Sequence, residues 1–257
     1  MSVKFTILGC GYSMGVPRID GNFGKCDPKN VKNYRTRCSA LISFSKSNVL
    51  IDSSPDLRFQ LIKNKVSFID KIFYTHAHAD QTHGINDLRV FYLKNKKRLP
   101  VYADKNTKNY LLKAFKYCFK PSSEYPPILE MKDLKKIHRF KYNKKFIEFK
   151  SIPVEHGKIK CISYIINKKL AYASDVSKIH KKDFKHFTNL KYFIVDCLRY
   201  EPHYSHFNLR KVLNLINYIK PNKTVLTNLN NEMDYNNLKK KLPKNVVPAY
   251  DGMSLII

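Results

Sequence analysis

The chain has 257 residues, 43% of them hydrophobic and 13% aromatic, which suffices for a sizeable core and excludes a disordered chain. Its 48 Lys and Arg against 20 Asp and Glu leave a formal charge of +28, which favours anionic partners and argues against a strongly cationic substrate. No apolar run reaches the roughly 18 residues of a membrane span, and the opening residues lack the features of a secretory signal, so a soluble cytoplasmic protein is expected.

In chain order, the apolar pattern predicts strands at 3–8, 39–44 and 49–51, a helix opening near Pro55 and a strand at 71–75. Helical spacing follows within 107–119, where Tyr110, Leu111, Ala114, Phe115 and Cys118 recur, and a Pro-rich loop covers 122–127. Strands resume at 146–152, 161–166, 170–173 and 192–195. A helix at 209–219, a strand at 224–227, a helix at 236–242 and a terminal pair of strands complete the chain. Runs of strands with helices between them predict a layered α+β or α/β domain, and no repeat or linker divides it. Gly9, Gly11 and Gly15 miss the spacing of both common phosphate-binding glycine loops and read as a tight turn. The six cysteines form no CxxC pair and are expected as reduced thiols. Lysine runs such as 94–97 and 239–241 lack interleaved aromatics and read as solvated faces rather than a nucleic-acid platform.

The chemistry concentrates in Thr75-His76-Ala77-His78-Ala79-Asp80-Gln81-Thr82-His83-Gly84, which holds three of the nine histidines. On an extended segment, histidines at i and i+2 point the same way, so both imidazoles can reach one ion, and an acid two residues further on can approach from the next turn. This HxHxD stretch resembles the signature of the metallo-β-lactamase superfamily of hydrolases. The likeness continues through Leu8-Gly9-Cys10-Gly11, Gly15-Val16-Pro17-Arg18, Arg35-Thr36-Arg37-Cys38-Ser39, Ile51-Asp52-Ser53-Ser54-Pro55-Asp56 and Gly84-Ile85-Asn86-Asp87-Leu88-Arg89. Together these resemble the phosphoribosyl cyclic phosphate phosphodiesterase branch, a relative of the tRNA 3′-end processing endonucleases, over essentially the whole chain.

The resemblance implies an α+β fold, the αβ/βα four-layer sandwich, as a single domain over 1–257 with a metal site at one edge between two sheets. It implies His76, His78 and His156 as ligands of one divalent metal, zinc or manganese, with Asp175 as the bridging carboxylate and Asp80 in a second site. Two further second-site positions, histidine in the family, are Gln81 and Asn228 here. An amide oxygen is a hard, neutral ligand that suits manganese or magnesium better than zinc, so one tight site and a weak or empty second one are expected. His206 is implied to protonate the leaving oxygen and Asp80 to orient or deprotonate the attacking water. His83 is expected beside the ligands or toward substrate rather than on the metal. Of the family's N-terminal cysteine site for a structural zinc only Cys26 is kept, so that zinc is expected to be missing. Arg35, Arg37 and Arg89 are candidates either for a phosphate or for ion pairs. His203 reads as a surface residue, and His138, His180 and His186 have no assigned role.

The expected function is a metal-dependent phosphodiesterase acting on a small cyclic or nucleotide-like phosphate ester. Its partner is then a small anionic phosphate-ester substrate, with RNA a lesser alternative, no membrane, and a homodimer among the assemblies open to it. The competing readings are a tRNA or RNA 3′-end processing nuclease and a non-catalytic metal- or nucleotide-binding relative with a degraded second site.

Overall fold

A computed structural model describes residues 2–121, 125–142 and 145–257. Residues 122–124 of the Pro-rich loop read at 122–127 lie outside that description. The first half of the chain builds β1 (Lys4–Gly9), β2 (Ser39–Phe44), β3 (Ser47–Ile51), α1 (Leu57–Lys63), β4 (Lys71–Phe73), α2 (Ala79–Thr82), α3 (Arg89–Asn95), β5 (Leu99–Ala103), α4 (Lys105–Ala114), α5 (Lys116–Phe119) and β6 (Leu129–Asp133). The second half builds β7 (Ile137–Tyr142), β8 (Lys145–His156), β9 (Ile159–Ile166), β10 (Leu170–Ala173), β11 (Tyr192–Asp196), α6 (Leu209–Ile219), β12 (Lys223–Thr227), α7 (Tyr235–Lys241), β13 (Val246–Pro248) and β14 (Ser254–Ile256).

Two seven-stranded sheets result, in the orders β14-β1-β2-β3-β4-β5-β6 and β13-β12-β11-β10-β9-β8-β7. The terminal strands are therefore not a pair: β13 closes one sheet beside β12, and β14 crosses to the other and runs antiparallel to β1. Both sheets change from antiparallel to parallel pairing part-way across, at β3 in the first and β10 in the second.

The strands are apolar on both faces because both faces are covered, which makes four layers. Between the sheets, Phe73 stacks on Phe149 with ring centres 5.1 Å apart, and Phe5 meets Tyr172 at 5.5 Å, within a core that includes Ile42, Tyr164 and Val225. Outside the first sheet, Leu57, Leu61, Phe91 and Leu111 from the helices cover Leu50, Ile72 and Val101. Outside the second, α6 buries Val212, Ile216 and Ile219, spaced one helical face apart, and α7 adds Leu238. Asn208 caps α6 by accepting from Lys211 N at 3.1 Å.

The pattern reading misses α2, β5, β6 and β7; it places a helix through Ile85 and Leu88, where a 3₁₀ turn at Ile85–Leu88 leads into α3. The strands β6 and β7 lie at the outer edges of the two sheets, where Glu130, Lys132, Arg139 and Lys141 interrupt any apolar run. Residues 107–119 form two helices, broken at Phe115, where one was expected. No helix is long and apolar enough to cross a membrane among the described residues.

Candidate metal centre

His76 follows β4, His156 ends β8, Asp175 follows β10, Asp196 ends β11 and Asn228 follows β12, so strand ends from both sheets deliver side chains to one edge of the sandwich. The sheets are tied together there, since Ile162 N donates to Thr75 O at 2.9 Å and Tyr164 Oη to Tyr74 O at 2.6 Å.

Thr75 Oγ1 donates to Asp52 Oδ2 at 2.8 Å, and therefore accepts from His76 Nδ1–H at 3.0 Å. His156 Nδ1–H donates to the carbonyl of Ser205 at 2.7 Å. With Nδ1 so engaged, both rings turn Nε2 inward, and both converge on Nδ1 of His78, at 3.0 Å from His76 and 3.3 Å from His156. Burial pushes the His76 imidazolium down to about 3 and also lowers that of His78. Three imidazole nitrogens converge with no acceptor between them, an arrangement that a cation would satisfy. The two spacings, 3.0 and 3.3 Å, lie near the edge of a tetrahedral site with nitrogen bonds near 2.1 Å, which is about 3.4 Å. The residues therefore fit a divalent metal, with the outward hydrogen bonds fixing the rings.

Asp175 is buried against this cluster. Burial raises its carboxyl, but His76, His156 and His206 overcome that and hold it below its ordinary value. Its oxygens take the two amides: Gln81 Nε2 donates to Oδ2 at 3.3 Å, and Asn228 Nδ2 to Oδ1 at 3.2 Å. Gln81 Nε2 also reaches Asp80 Oδ2 at 3.2 Å, and Asn228 Nδ2 reaches Asp196 Oδ1 at 3.2 Å. Amide N–H groups, not lone pairs, face these acids, while the buried Oε1 of Gln81 has no partner. Asp80 is pushed up to about 6 by burial and then by the Asp175 charge.

His206 Nδ1 donates to Asp196 Oδ2 at 2.7 Å. Burial alone would lower this imidazolium, yet the Asp196 carboxylate outweighs it and pushes it up to about 9. His203 is no isolated surface ring: it lines the same cavity, between Tyr204 at 4.8 Å and His206 at 5.2 Å. Gly157, with φ of +59°, lets this loop close, since a Cβ there would meet Ser205 Cβ at 2.9 Å. The cavity holds about 450 Å³ and is also lined by Tyr12, Met14, Arg18, Arg199 and Asn230.

Sequence reasoning assigned no role to Asp196, whose only local signal is an acid closing an apolar strand. The arginines and the remaining histidines find other partners. Arg35 meets neither phosphate nor carboxylate: it is 2% exposed and donates to Asn33 Oδ1 at 3.1 Å, Asn230 O at 3.2 Å and Met233 O at 2.7 Å. It also stands 3.9 Å from Cys26 Sγ, so a guanidinium occupies the neighbourhood of the lone remaining cysteine. Arg37 pairs with Asp56 at 2.7 Å, and Arg89 lies over the Tyr125 ring. His83 packs on Phe115 and bonds Thr82 Oγ1 at 3.0 Å, away from the three converging rings. His138 is buried under Tyr102 and accepts from Lys135 N. All six cysteines are buried and unpaired.

A model of the beta-lactamase superfamily domain matches residues 47–227. A diphosphatase of the PhnP family superposes with a TM-score of 0.90 at 29% identity, covering 100% of this chain and 98% of that one. The short form of human tRNase Z superposes at 0.64 with 15% identity, covering 99% and 98%. An octanoyltransferase of Porphyromonas gingivalis is 27% identical over 260 residues, which is 99% of this chain and 52% of that protein. The chain thus spans about half the length of this curated relative.

Proposed function

The chain belongs to the beta-lactamase superfamily as a metallo-β-lactamase-fold hydrolase, and we propose that it is a metal-dependent phosphodiesterase cleaving a small cyclic or nucleotide-like phosphate ester. The observation that carries this reading is the convergence of three imidazole nitrogens beside Asp175, with Asp80 and His206 lining the same cavity. The likeness to a diphosphatase supports phosphorus as the reacting centre.

His76, His78, His156 and Asp175 would hold one divalent ion. Bound there, zinc or manganese would polarise a phosphoryl oxygen and lower the pKa of water. Asp80, pushed up to about 6, is suited to orient the attacking water and take its proton near neutral pH. His206, an imidazolium held by Asp196, gives its proton to the leaving oxygen as the P–O bond breaks. The amides of Gln81 and Asn228 occupy the carboxylate edges where a second ion would bind, so the reading is one tight site and a weak or empty second one. The substrate is small and anionic, and the whole of 1–257 acts as one domain in the cytoplasm.

The test is hydrolysis of bis(p-nitrophenyl) phosphate by protein loaded with zinc or manganese. His78→Ala should abolish metal retention and hydrolysis together. Full activity in that variant would overturn the assignment.

A further inference from the structure

The rim of the catalytic cavity carries two guanidinium groups that differ in one respect. Arg18 is matched by Asp20, with Nη2 to Oδ2 at 2.5 Å and Nε to Oδ1 at 3.2 Å. Arg199 has no such match. Its Nε donates to the carbonyl of Glu201 at 3.3 Å and its Nη2 to that of Pro202 at 2.7 Å, which aim the group without cancelling its charge. Among the described residues no carboxylate pairs with it within 4.0 Å. Its backbone is pinned as well, because Arg199 O accepts from Leu209 N at 3.1 Å and so closes the base of the loop carrying His203 and His206.

A fixed, unmatched guanidinium lining an open cavity is a ready site for an anion, and its planar fork suits the oxygens of a phosphate. The carboxylates of the cavity, Asp80 and Asp175, lie with the imidazoles at the reacting end. Tyr204, 80% exposed and tilted on His203, adds an aromatic lip on the same loop.

We propose that Arg199 is a specificity-determining residue that binds a second phosphate beyond the scissile one, so that the preferred substrates are diphosphate esters carrying a P–O–P link. This rests on the phosphodiesterase reading above. In such a substrate water adds to one phosphorus, the bridging P–O bond breaks, and the bridging oxygen leaves on the other phosphate with a proton from His206. Arg199 would hold that departing phosphate.

The experiment compares kcat/KM for ADP-ribose, which has a diphosphate link, with that for bis(p-nitrophenyl) phosphate, which has a single phosphate, using manganese-loaded protein. Arg199→Gln should lower the ratio of ADP-ribose to bis(p-nitrophenyl) phosphate about 10- to 100-fold, the range of a lost charge-assisted hydrogen bond. Arg199→Lys keeps the charge and loses the fork, so its ratio should lie between the two; it also serves if the Gln variant fails to fold. A ratio unchanged in both variants would overturn the inference, because a residue that only braced the loop would slow both substrates alike. Wild-type protein that cleaves bis(p-nitrophenyl) phosphate but not ADP-ribose also overturns it. Protein that cleaves neither overturns the phosphodiesterase reading instead.

Discussion

His206 Nδ1 lies 2.7 Å from Oδ2 of Asp196, a carboxylate with no solvent exposure. The contact fixes the ring through one nitrogen and leaves Nε2 as the atom with a proton to give. A group that donates this proton matters only when the departing oxygen needs it. His206→Ala should therefore slow hydrolysis of esters with alcohol leaving groups by about 10²–10⁴-fold, the range of general acid catalysis. Esters of p-nitrophenol, which departs as a stable anion, should lose far less. Equal losses on both ester types would assign His206 to binding rather than to proton transfer, and kinetics on a leaving-group series decides between them.

The amides of Gln81 and Asn228 present N–H donors to Asp80, Asp175 and Asp196, whereas a metal ion there would need lone pairs. Elemental analysis of protein purified without chelator or affinity-column metal should find close to one ion per chain. The double variant Gln81→His with Asn228→His replaces both donors by imidazoles and should raise the count toward two. A wild-type count near two would mean that the amides turn their oxygens inward and ligate after all.

Much of the centre could be read in the chain because His76, His78 and Asp80 are neighbours in sequence, set at the spacing at which an extended segment and the following turn face one ion. His156, Asp175 and Asn228 stand alone at strand ends, and only the family resemblance singles them out. Asp196 carries no such mark, and its importance arises from pairing across the chain with His206 and Asn228. Arg35 reads as a candidate for a phosphate or an ion pair, yet it is enclosed among neutral acceptors, because its partners come from 26–33 and from 230–233, which no local pattern brings together. The fold class was legible from strand and helix runs, but β6 and β7 were not, because edge strands show solvent a polar face.

Arg35 also yields a prediction about stability. Its buried guanidinium donates to acceptors on two loops, so truncation removes three hydrogen bonds and leaves Met233 O without its donor, while Asn33 Oδ1 keeps Tyr235 N and Asn230 O keeps Met233 N. Arg35→Ala should cost on the order of 3 kcal/mol or more. Lysine has one donor centre in place of the fork, so Arg35→Lys should recover only part of that. Urea unfolding of the three proteins measures it, and a loss below about 1 kcal/mol in the alanine variant would show that the loops hold without the guanidinium.

The carboxylate of Asp251 accepts from Thr36 N at 2.7 Å, Thr36 Oγ1 at 2.6 Å, Cys10 N at 3.0 Å and Cys10 Sγ at 3.3 Å. Burial nevertheless dominates these contacts and pushes the acid up from 3.8 to about 6. Between about pH 4 and 6 the folded chain therefore holds a proton there that the unfolded chain has released, so this group makes the fold less stable as pH rises through that window. Asp251→Asn removes the titration while keeping the shape. The stability advantage of the wild type over the variant should then be smaller at pH 7 than at pH 4, by about 1–3 kcal/mol. Urea unfolding of both proteins at the two pH values tests this, since the titrations they share cancel in the difference. A difference that grows with pH would mean that the four donors outweigh burial and hold Asp251 below its ordinary value.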